Sequence, residues 1–291
     1  MSRIAGTFHR NPHSHIYKML STQVALPNWS VNIIKTGSAE LGWTGTCDGC
    51  FAHSSDCSVV IDGTIYNASD LGQGTDAEII LRLYQQHGFD GALARINGDF
   101  AIALFDSRSE ELWLGRDRIG VKPLYYIQIA EGIAFASRCK ALLQLPGVSK
   151  ETNPQYVAIV AASHYRHFDN QPEKSPYEAI KQLPSASWLL LKNGSPQVCK
   201  YWELQNLPDW EDDEEALVGK YRELLFDATR IRMGRSHKIG FTLSGGMDSS
   251  SVIGLAVQIT GHKQEAFSSV YEDKKYDESE DIRTILRSTV S

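Results

Sequence analysis

Between Gly240 and Ser251 an apolar run meets two adjacent glycines, an aspartate and several serines, and the chain then turns apolar again. The flanking segments read as a strand (KIGFTL), a helix (SSVIGLAVQIT) and a second strand (EAFSSVY). Strand, helix and strand in this order form the βαβ unit of a parallel sheet. The stretch LSGGMDSS, which we call the elbow (residues 243–250), therefore joins the first strand to the crossover helix.

The elbow has the chemistry of a phosphate cradle. Adjacent glycines let the backbone approach a ligand closely, and the start of a helix offers free N–H groups to an anion. Ser244, Ser249 and Ser250 supply hydroxyl donors, whereas Asp248 suits a phosphate only if Mg²⁺ lies between them. Neither GxxxxGK[ST] nor GxGxxG occurs here. The simpler alternative is an ordinary glycine turn before a serine-capped helix.

The first two thirds of the chain predict an α+β region built on antiparallel sheet. We expect a hairpin break at Asp62–Gly63, a helix that stops at Gly88, a hairpin turn over 106–110 and another at Glu131–Gly132. The composition changes near Asn206, where Pro and acidic residues precede a helical pattern. This change predicts two domains, 1–205 and 206–291.

Composition excludes several classes of protein. A net charge of −6 argues against binding to a nucleic-acid backbone, and 42% hydrophobic with 22% charged residues is typical of a globular chain. No apolar run reaches the length of a membrane span, and the N-terminus lacks a signal core. We therefore expect a cytoplasmic protein with no membrane and no nucleic-acid partner.

The cysteines leave one alternative open. Cys47, Cys50 and Cys57 could give zinc three thiolates, with His53 nearby. A second CxxC pair is missing, so a reduced loop with incidental cysteines is the preferred interpretation.

Several motifs together resemble the asparagine synthetase family. They are MSRIAGTF, IDGTIYN, GTDAEIIL, INGDFAIALFD, GRDRIGVKPLYY, FASRCKALL, the elbow and FSSVYEDKKYDESEDIR, in family order. The resemblance implies an N-terminal class II glutamine amidotransferase-like domain, an Ntn-type antiparallel sandwich. It also implies the beginning of an adenine nucleotide α-hydrolase-like synthetase domain with a parallel sheet.

The resemblance further implies an ATP-dependent, AMP- and pyrophosphate-forming carbon–nitrogen ligase. Such enzymes adenylate a carboxylate, and an amine or ammonia then attacks the activated carbonyl. By position, Leu243 and Ser269 would hold adenine, and the elbow with Ser244, Gly245, Gly246, Ser249 and Ser250 would hold the phosphates. Asp248 would bind Mg²⁺.

The amidotransferase half departs from the family pattern. Ser2 stands where glutamine-hydrolysing members have the nucleophilic cysteine, and a serine hydroxyl is far less acidic than a thiol. The RGPD segment and the arginine for the glutamine carboxylate have no counterpart between Glu40 and Val59. The family's NGEIYN reads DGTIYN from Asp62. Asp76 remains as a partner for the glutamine amine.

These departures favour a ligase that uses no glutamine, similar to β-lactam synthetase and the macrolactam synthetases of lasso peptides. Its substrate would be a small-molecule or peptide carboxylate. One alternative is an asparagine synthetase of asparagine biosynthesis that uses ammonia or glutamine. The other is an inactive fragment or scaffold.

The synthetase half reads as the beginning of a domain. Only two strands are evident after Asn206, and two strands cannot bury both faces of a parallel sheet. From the sequence we expect a truncated domain that is loosely ordered beyond residue 205. We also expect it to need a second polypeptide before it adenylates a substrate.

Overall fold

The computed structural model describes residues 2–9, 15–46, 49–130, 132–163, 171–206, 213–234 and 239–289. The chain divides into two compact units, Met1–Gln205 and Asn206–Ser291. Among the described residues, no helix is both long and apolar enough to cross a membrane.

Unit one contains twelve strands and five helices within the described ranges. The strands are β1 (Ser2–His9), β2 (Ser30–Thr36), β3 (Ala39–Gly45), β4 (Phe51–His53), β5 (Cys57–Ile65), β6 (Gly98–Asp106), β7 (Glu111–Arg116), β8 (Tyr125–Ile129), β9 (Gly132–Ala136), β10 (Lys181–Gln182), β11 (Ser187–Lys192) and β12 (Ser195–Lys200). The helices are α1 (Ile16–Ser21), α2 (Ala68–Leu71), α3 (Asp76–Arg95), α4 (Cys139–Leu142) and α5 (Pro154–Ser163).

The strands of unit one form two six-stranded antiparallel sheets, in the orders β10-β8-β9-β1-β3-β2 and β12-β11-β7-β6-β5-β4. Side chains from both sheets share one buried core, which includes Ile4, Leu41, Phe105, Phe135 and Leu189. Successive residues of a strand point to opposite faces. The outer face of the first sheet therefore packs on α1 and α4, and that of the second sheet packs on α3. The predicted antiparallel sandwich is confirmed.

The prediction of a turn at Asp62–Gly63 is wrong. Strand β5 continues through both residues, and they pair with Ala101 and Phe100 of β6. Gly63 has φ +149°, and a Cβ placed on it would lie 2.0 Å from the carbonyl oxygen of Asp99. The glycine thus allows two strands to approach closely, a role that local sequence cannot separate from a turn.

Helix α3 begins with a complete capping box. The Thr75 hydroxyl accepts from the Glu78 N–H, and the Glu78 carboxylate accepts from the Thr75 N–H. The predicted stop at Gly88 is half right, because this residue leaves helical geometry with φ 70°, yet helical turns resume as far as Arg95. The predicted turn over 106–110 is confirmed between β6 and β7. Strands β8 and β9 pair as expected, while Glu131 lies outside the described residues.

Unit two contains α6 (Glu214–Met233), β13 (Gly240–Thr242), α7 (Met247–Thr260), β14 (Glu265–Phe267) and α8 (Ser279–Thr289). Strands β13 and β14 pair in parallel, so the predicted βαβ unit is confirmed, with strands shorter than the apolar runs. The core of this unit is small, with Leu243, Ile253 and Ile282 buried. On α6, Tyr221 and Leu224 are more than 60% exposed, so part of its apolar stripe faces solvent.

Candidate functional site

Ser2 opens strand β1 in the interior of unit one. Its side chain is buried, and its hydroxyl donates to the carbonyl oxygen of Ile61 at 3.3 Å. A nucleophilic hydroxyl needs a base that can accept its proton; an N-terminal residue can use its own α-amine, and the Ile61 carbonyl is not such a base. The hydrogen bond of the Ser2 hydroxyl links β1 to β5.

The residue after Ile61 is Asp62, a buried carboxylate with polar partners on both oxygens. One oxygen of the buried Asp62 carboxylate pairs with the Lys122 ammonium at 2.9 Å, and the other accepts from the Ser137 hydroxyl at 2.9 Å. Ser137 Oγ also accepts from the Ile4 N–H at 3.0 Å. This network ties the strand that bears Ser2 to a fixed negative charge.

Asp76 lies at the first position of α3, facing the end of β5. Its Oδ2 accepts from the backbone N–H of Ile65 at 3.0 Å. The carboxylate thus fixes the end of the strand that bears Asp62, and one of its oxygens is engaged within the protein. Ser2, Asp62 and Asp76 are therefore linked through a single strand, β5.

The side chains that the structure describes do not support a zinc site at the cysteines. Cys47 lies outside the described residues, and Cys50 and Cys57 are both buried. Burial, with help from neighbouring Asp106, raises the pKa of the Cys57 thiol to about 11. A thiol with this pKa is protonated at neutral pH when no metal is bound. No metal-binding cluster of three or more His, Cys, Asp or Glu occurs among the described residues.

In unit two, the elbow turns the chain from β13 into α7. Gly246 is the N-cap of α7 with extended backbone angles, and Asp248 lies in the first turn with its side chain exposed. The helix of 14 residues directs its N-terminal N–H groups toward the elbow. This placement gives the positive end of a helix to the position where the sequence predicted phosphate.

The elbow hydroxyls hold the loop in shape. Ser249 Oγ lies 2.9 Å from Ser244 Oγ and accepts from the Ser244 N–H at 3.2 Å. Ser250 Oγ donates to the Gly246 carbonyl at 2.6 Å. These side chains are thus engaged with the backbone of the elbow itself, and each hydroxyl retains acceptor or donor capacity for a ligand.

A cavity of about 400 Å³ adjoins the elbow. It is lined by Leu243, Ser244, Ser249 and Ser269 among others, and the Leu243 N–H donates to the Phe267 carbonyl at 2.9 Å. The ends of β13 and β14 thereby bring together the elbow and Ser269, which are separated in sequence by the whole of α7.

Sequence reasoning missed one contact of the elbow. The backbone N–H of Gly245 donates to the Glu278 carboxylate at 2.9 Å, across 33 residues of sequence. A Cβ placed on Gly245 would lie 2.7 Å from the Cβ of Asp281. The first turn of α8 and the residue before it therefore bring Asp281 and Glu278 against the glycine turn. The acidic segment YDESED was visible in the sequence, but nothing local indicated where it would fold.

The elbow fits Mg²⁺ only as a shared site. Asp248 is the one acidic residue of α7's first turn, and the described residues hold no complete cluster of metal ligands. Protein-bound Mg²⁺ commonly takes one or two carboxylates and completes its shell with phosphate oxygens and water. The residues therefore fit a metal that would be held by Asp248 together with a bound nucleotide.

Comparison with known proteins matches each unit to a family model. Residues 48–202 match the family model described as glutamine amidotransferase domain, and residues 220–289 match the asparagine synthase model. The first match covers more than half of the chain, and with the antiparallel sandwich it defines a protein with a glutamine amidotransferase domain. Because that domain is followed by an asparagine synthase segment, the chain belongs to the asparagine synthetase family.

Curated relatives agree with this assignment. The chain is 33% identical over 248 residues to a putative glutamine-hydrolyzing asparagine synthetase of Methanocaldococcus jannaschii, covering 80% of this chain and 46% of the relative. It is 29% identical over 241 residues to the glutamine-hydrolyzing asparagine synthetase 2 of Bacillus subtilis, covering 75% and 32%. The chain thus spans less than half the length of these relatives.

Among solved structures, glutamine phosphoribosylpyrophosphate amidotransferase from B. subtilis, complexed with ADP and GMP, is similar to the chain. The similarity covers 94% of this chain and 67% of that one, at 12% identity and a TM-score of 0.48. A likeness of this size adds nothing to the family assignment.

Proposed function

We propose that the chain is part of an ATP-dependent amide-bond ligase that adenylates a carboxylate and takes its amine from a source other than glutamine. The observation that carries the ligase half is the elbow, where a helix N-terminus, two glycines and three serines adjoin a cavity beside Ser269. Oriented N–H groups at a helix start suit a pyrophosphate leaving group.

In the proposed reaction, a carboxylate oxygen of the substrate attacks the α-phosphate of ATP, and pyrophosphate leaves. The amine nitrogen then attacks the acyl-adenylate, and AMP leaves as the amide forms. The helix start and the Ser244 and Ser249 hydroxyls would orient the phosphates, and Asp248 would hold the metal against them. Bound Mg²⁺ would supply positive charge to stabilise the leaving pyrophosphate.

Two features of the amidotransferase half support a ligase that does not use glutamine. Ser2 donates its hydroxyl to a carbonyl, and Asp62 places a buried carboxylate where the family motif has an amide. An amide can donate a hydrogen bond to a developing oxyanion, whereas an ionised carboxylate only accepts hydrogen bonds. Both Asp62 oxygens already accept from protein groups, one from the Lys122 ammonium and the other from the Ser137 hydroxyl.

A second candidate is an asparagine synthetase that uses glutamine or ammonia. It is favoured by the names of the two curated relatives, both described as glutamine-hydrolyzing asparagine synthetases. The two candidates share the adenylating half, and they differ in the source of the nitrogen.

Carboxylate-dependent ATP–pyrophosphate exchange tests the proposal. It is measured with the chain alone and with the second polypeptide expected from the sequence, using a panel of carboxylates with and without glutamine. Exchange and amide formation that glutamine does not increase support a glutamine-independent ligase. Amide formation that requires glutamine favours the second candidate, and neither nucleotide binding nor exchange favours a scaffold.

A further inference from the structure

We propose that the end of unit one farthest from Ser2 holds a binding site for a primary amine with a short apolar body. Strand β1 carries Ser2 at one end and His9 at the other, about 23 Å away along the strand. A cavity of about 590 Å³ lies at the His9 end. The inference goes beyond the proposed function, because the residues of this cavity belong to unit one and are separate from those assigned to adenylation.

Hairpin turns from both sheets enclose this cavity. Ser38 and Ala130 lie in turns of the first sheet, between β2 and β3 and between β8 and β9. Glu110 and Asn193 lie in turns of the second sheet, between β6 and β7 and between β11 and β12. The volume falls in the range of about 300–1,000 Å³ that is usual for small-molecule sites. The apolar part of the lining is supplied by Phe8, Ile129 and Leu191.

His9 is the buried polar residue of this lining. It is 7% exposed, yet its ring makes no hydrogen bond with any residue that the structure describes. Buried polar side chains in folded proteins nearly always have a hydrogen-bond partner. A buried imidazole at the wall of a cavity therefore points to a partner that enters the cavity.

The face of the sheet around His9 carries a surplus of acceptors. Thr7 shares this face, and Glu40 pairs with it on β3. Both residues are buried, and neither the Thr7 hydroxyl nor either Glu40 oxygen has a hydrogen bond within the part of the chain that is described. The Lys35 ammonium reaches Glu40 Oε1 at 2.8 Å, without the alignment of a hydrogen bond, and its side chain is 65% exposed. Because water and salt screen the exposed lysine more than the buried carboxylate, the surroundings of His9 stay negative.

Glu110 gives the cavity a negative charge of its own. The Ser38 hydroxyl donates to Glu110 Oε2 at 2.6 Å, which links the two sheets and leaves Oε1 able to accept. No lysine or arginine is found among the described residues that line the cavity. An anion would meet only like charge here. An ammonium group can donate to Glu110 Oε1 and to His9 while its hydrocarbon part contacts the apolar wall. The cavity thus selects a primary amine over a carboxylate or a neutral alcohol of the same length.

The test is an NMR titration of the 291-residue chain, labelled with ¹³C in its histidine rings, with hexylamine, 1-hexanol and hexanoate. The His9 signal is assigned by its loss in the variant His9→Gln. Hexylamine should shift this signal saturably and bind more tightly than 1-hexanol, and hexanoate should leave the signal unchanged.

Two matched variants locate the charge that selects the amine. Glu110→Gln keeps an acceptor for Ser38 and removes the charge, so it should weaken hexylamine binding about five- to tenfold and leave 1-hexanol binding unchanged. Asp70→Asn is the control, because Asp70 is exposed, also accepts from a serine hydroxyl and does not line the cavity. It should change neither affinity.

Three results would overturn the inference: a His9 signal that none of the three probes moves, hexanoate that binds as tightly as hexylamine, or equal effects of Glu110→Gln and Asp70→Asn. Each of them leaves the proposed function intact, because that function depends on nucleotide binding by unit two and is read from ATP–pyrophosphate exchange.

Discussion

Replacing Lys122 by Met should destabilise unit one by removing the ammonium that pairs with the buried Asp62 carboxylate. The Asp62 side chain is 4% exposed and that of Lys122 is 27% exposed, with 2.9 Å between the charged atoms. Breaking a buried ion pair from one side costs about 3–5 kcal/mol. Because Lys122 is partly exposed and Ser137 still donates to the carboxylate, we expect the lower end, about 3 kcal/mol.

Urea denaturation followed by tryptophan fluorescence measures this effect, since Trp43, Trp113 and Trp188 pack on the cores of unit one. With an m-value of about 2 kcal/mol/M, the midpoint should fall by about 1.5 M urea. The double variant Asp62→Asn with Lys122→Met should recover most of the loss, because neither charge then remains.

Lys192→Met is the matched control for this experiment. Its ammonium pairs with Glu111 at 2.8 Å, but the lysine side chain is 52% exposed, so its removal should cost less than about 1 kcal/mol. If Lys122→Met unfolds at the same urea concentration as Lys192→Met, Asp62 is not a buried charge that depends on Lys122. The explanation of the altered amidotransferase site would then be wrong.

Three further predictions concern unit one. Ser2→Cys alone should leave glutamine hydrolysis at background in an ammonia-release assay, because the surroundings of the residue are altered as well as its nucleophile; measurable turnover by this variant would show an isolated substitution. Gly63→Ala should destabilise the unit by about 3 kcal/mol, since the new Cβ would meet the Asp99 carbonyl at 2.0 Å. Gly147→Ala is the matched control: its φ is 75° and no atom lies within 4 Å of the new Cβ, so it should cost only about 1 kcal/mol of backbone strain. If urea denaturation gave the same loss of stability for both variants, the steric explanation would be contradicted. Finally, burial raises the pKa of the Cys57 thiol from 9.0 to about 11. The folded state therefore favours the protonated thiol, and this contribution to the free energy of unfolding is complete below pH 9 and is lost as the pH rises toward 11. Iodoacetamide labelling followed by mass spectrometry should find Cys57 of the folded protein slow to react until the pH nears 11, and rapid labelling at pH 9 would refute the shift.

Local features of this fold could be predicted from the sequence, and distant contacts could not. The elbow, its flanking strands and α7 depend on residues that are adjacent in the chain, so glycines, serines and apolar periodicity were sufficient to predict them. Asp62–Gly63 looked like a turn because the same dipeptide permits one, while the partners on β6, Ala101 and Phe100, are 39 and 37 residues away in sequence. Long-range pairing therefore overrode local preference.

In the candidate sites, too, the sequence predicted individual residues but not their distant contacts. The sequence identified Ser2 and the altered motif at Asp62, yet Lys122 and Ser137 reach that carboxylate from 60 and 75 residues further along the chain. Glu278 likewise meets Gly245 only because α8 folds back onto the elbow. No spacing rule connects such residues, so the compensating charges became visible only with the structure.

The most direct test of the nucleotide cradle is calorimetric titration of the chain with Mg·ATP and with AMP. Mg·ATP should bind more tightly than AMP, because only ATP brings a pyrophosphate to the elbow and a metal to Asp248. Asp248→Asn should weaken Mg·ATP binding by about 1–3 kcal/mol, the cost of a lost charge-assisted contact, and should leave AMP binding unchanged. Equal affinities for the two nucleotides, or an Asp248→Asn variant that binds Mg·ATP as tightly as the wild-type chain, would contradict the assignment of the elbow as a pyrophosphate site.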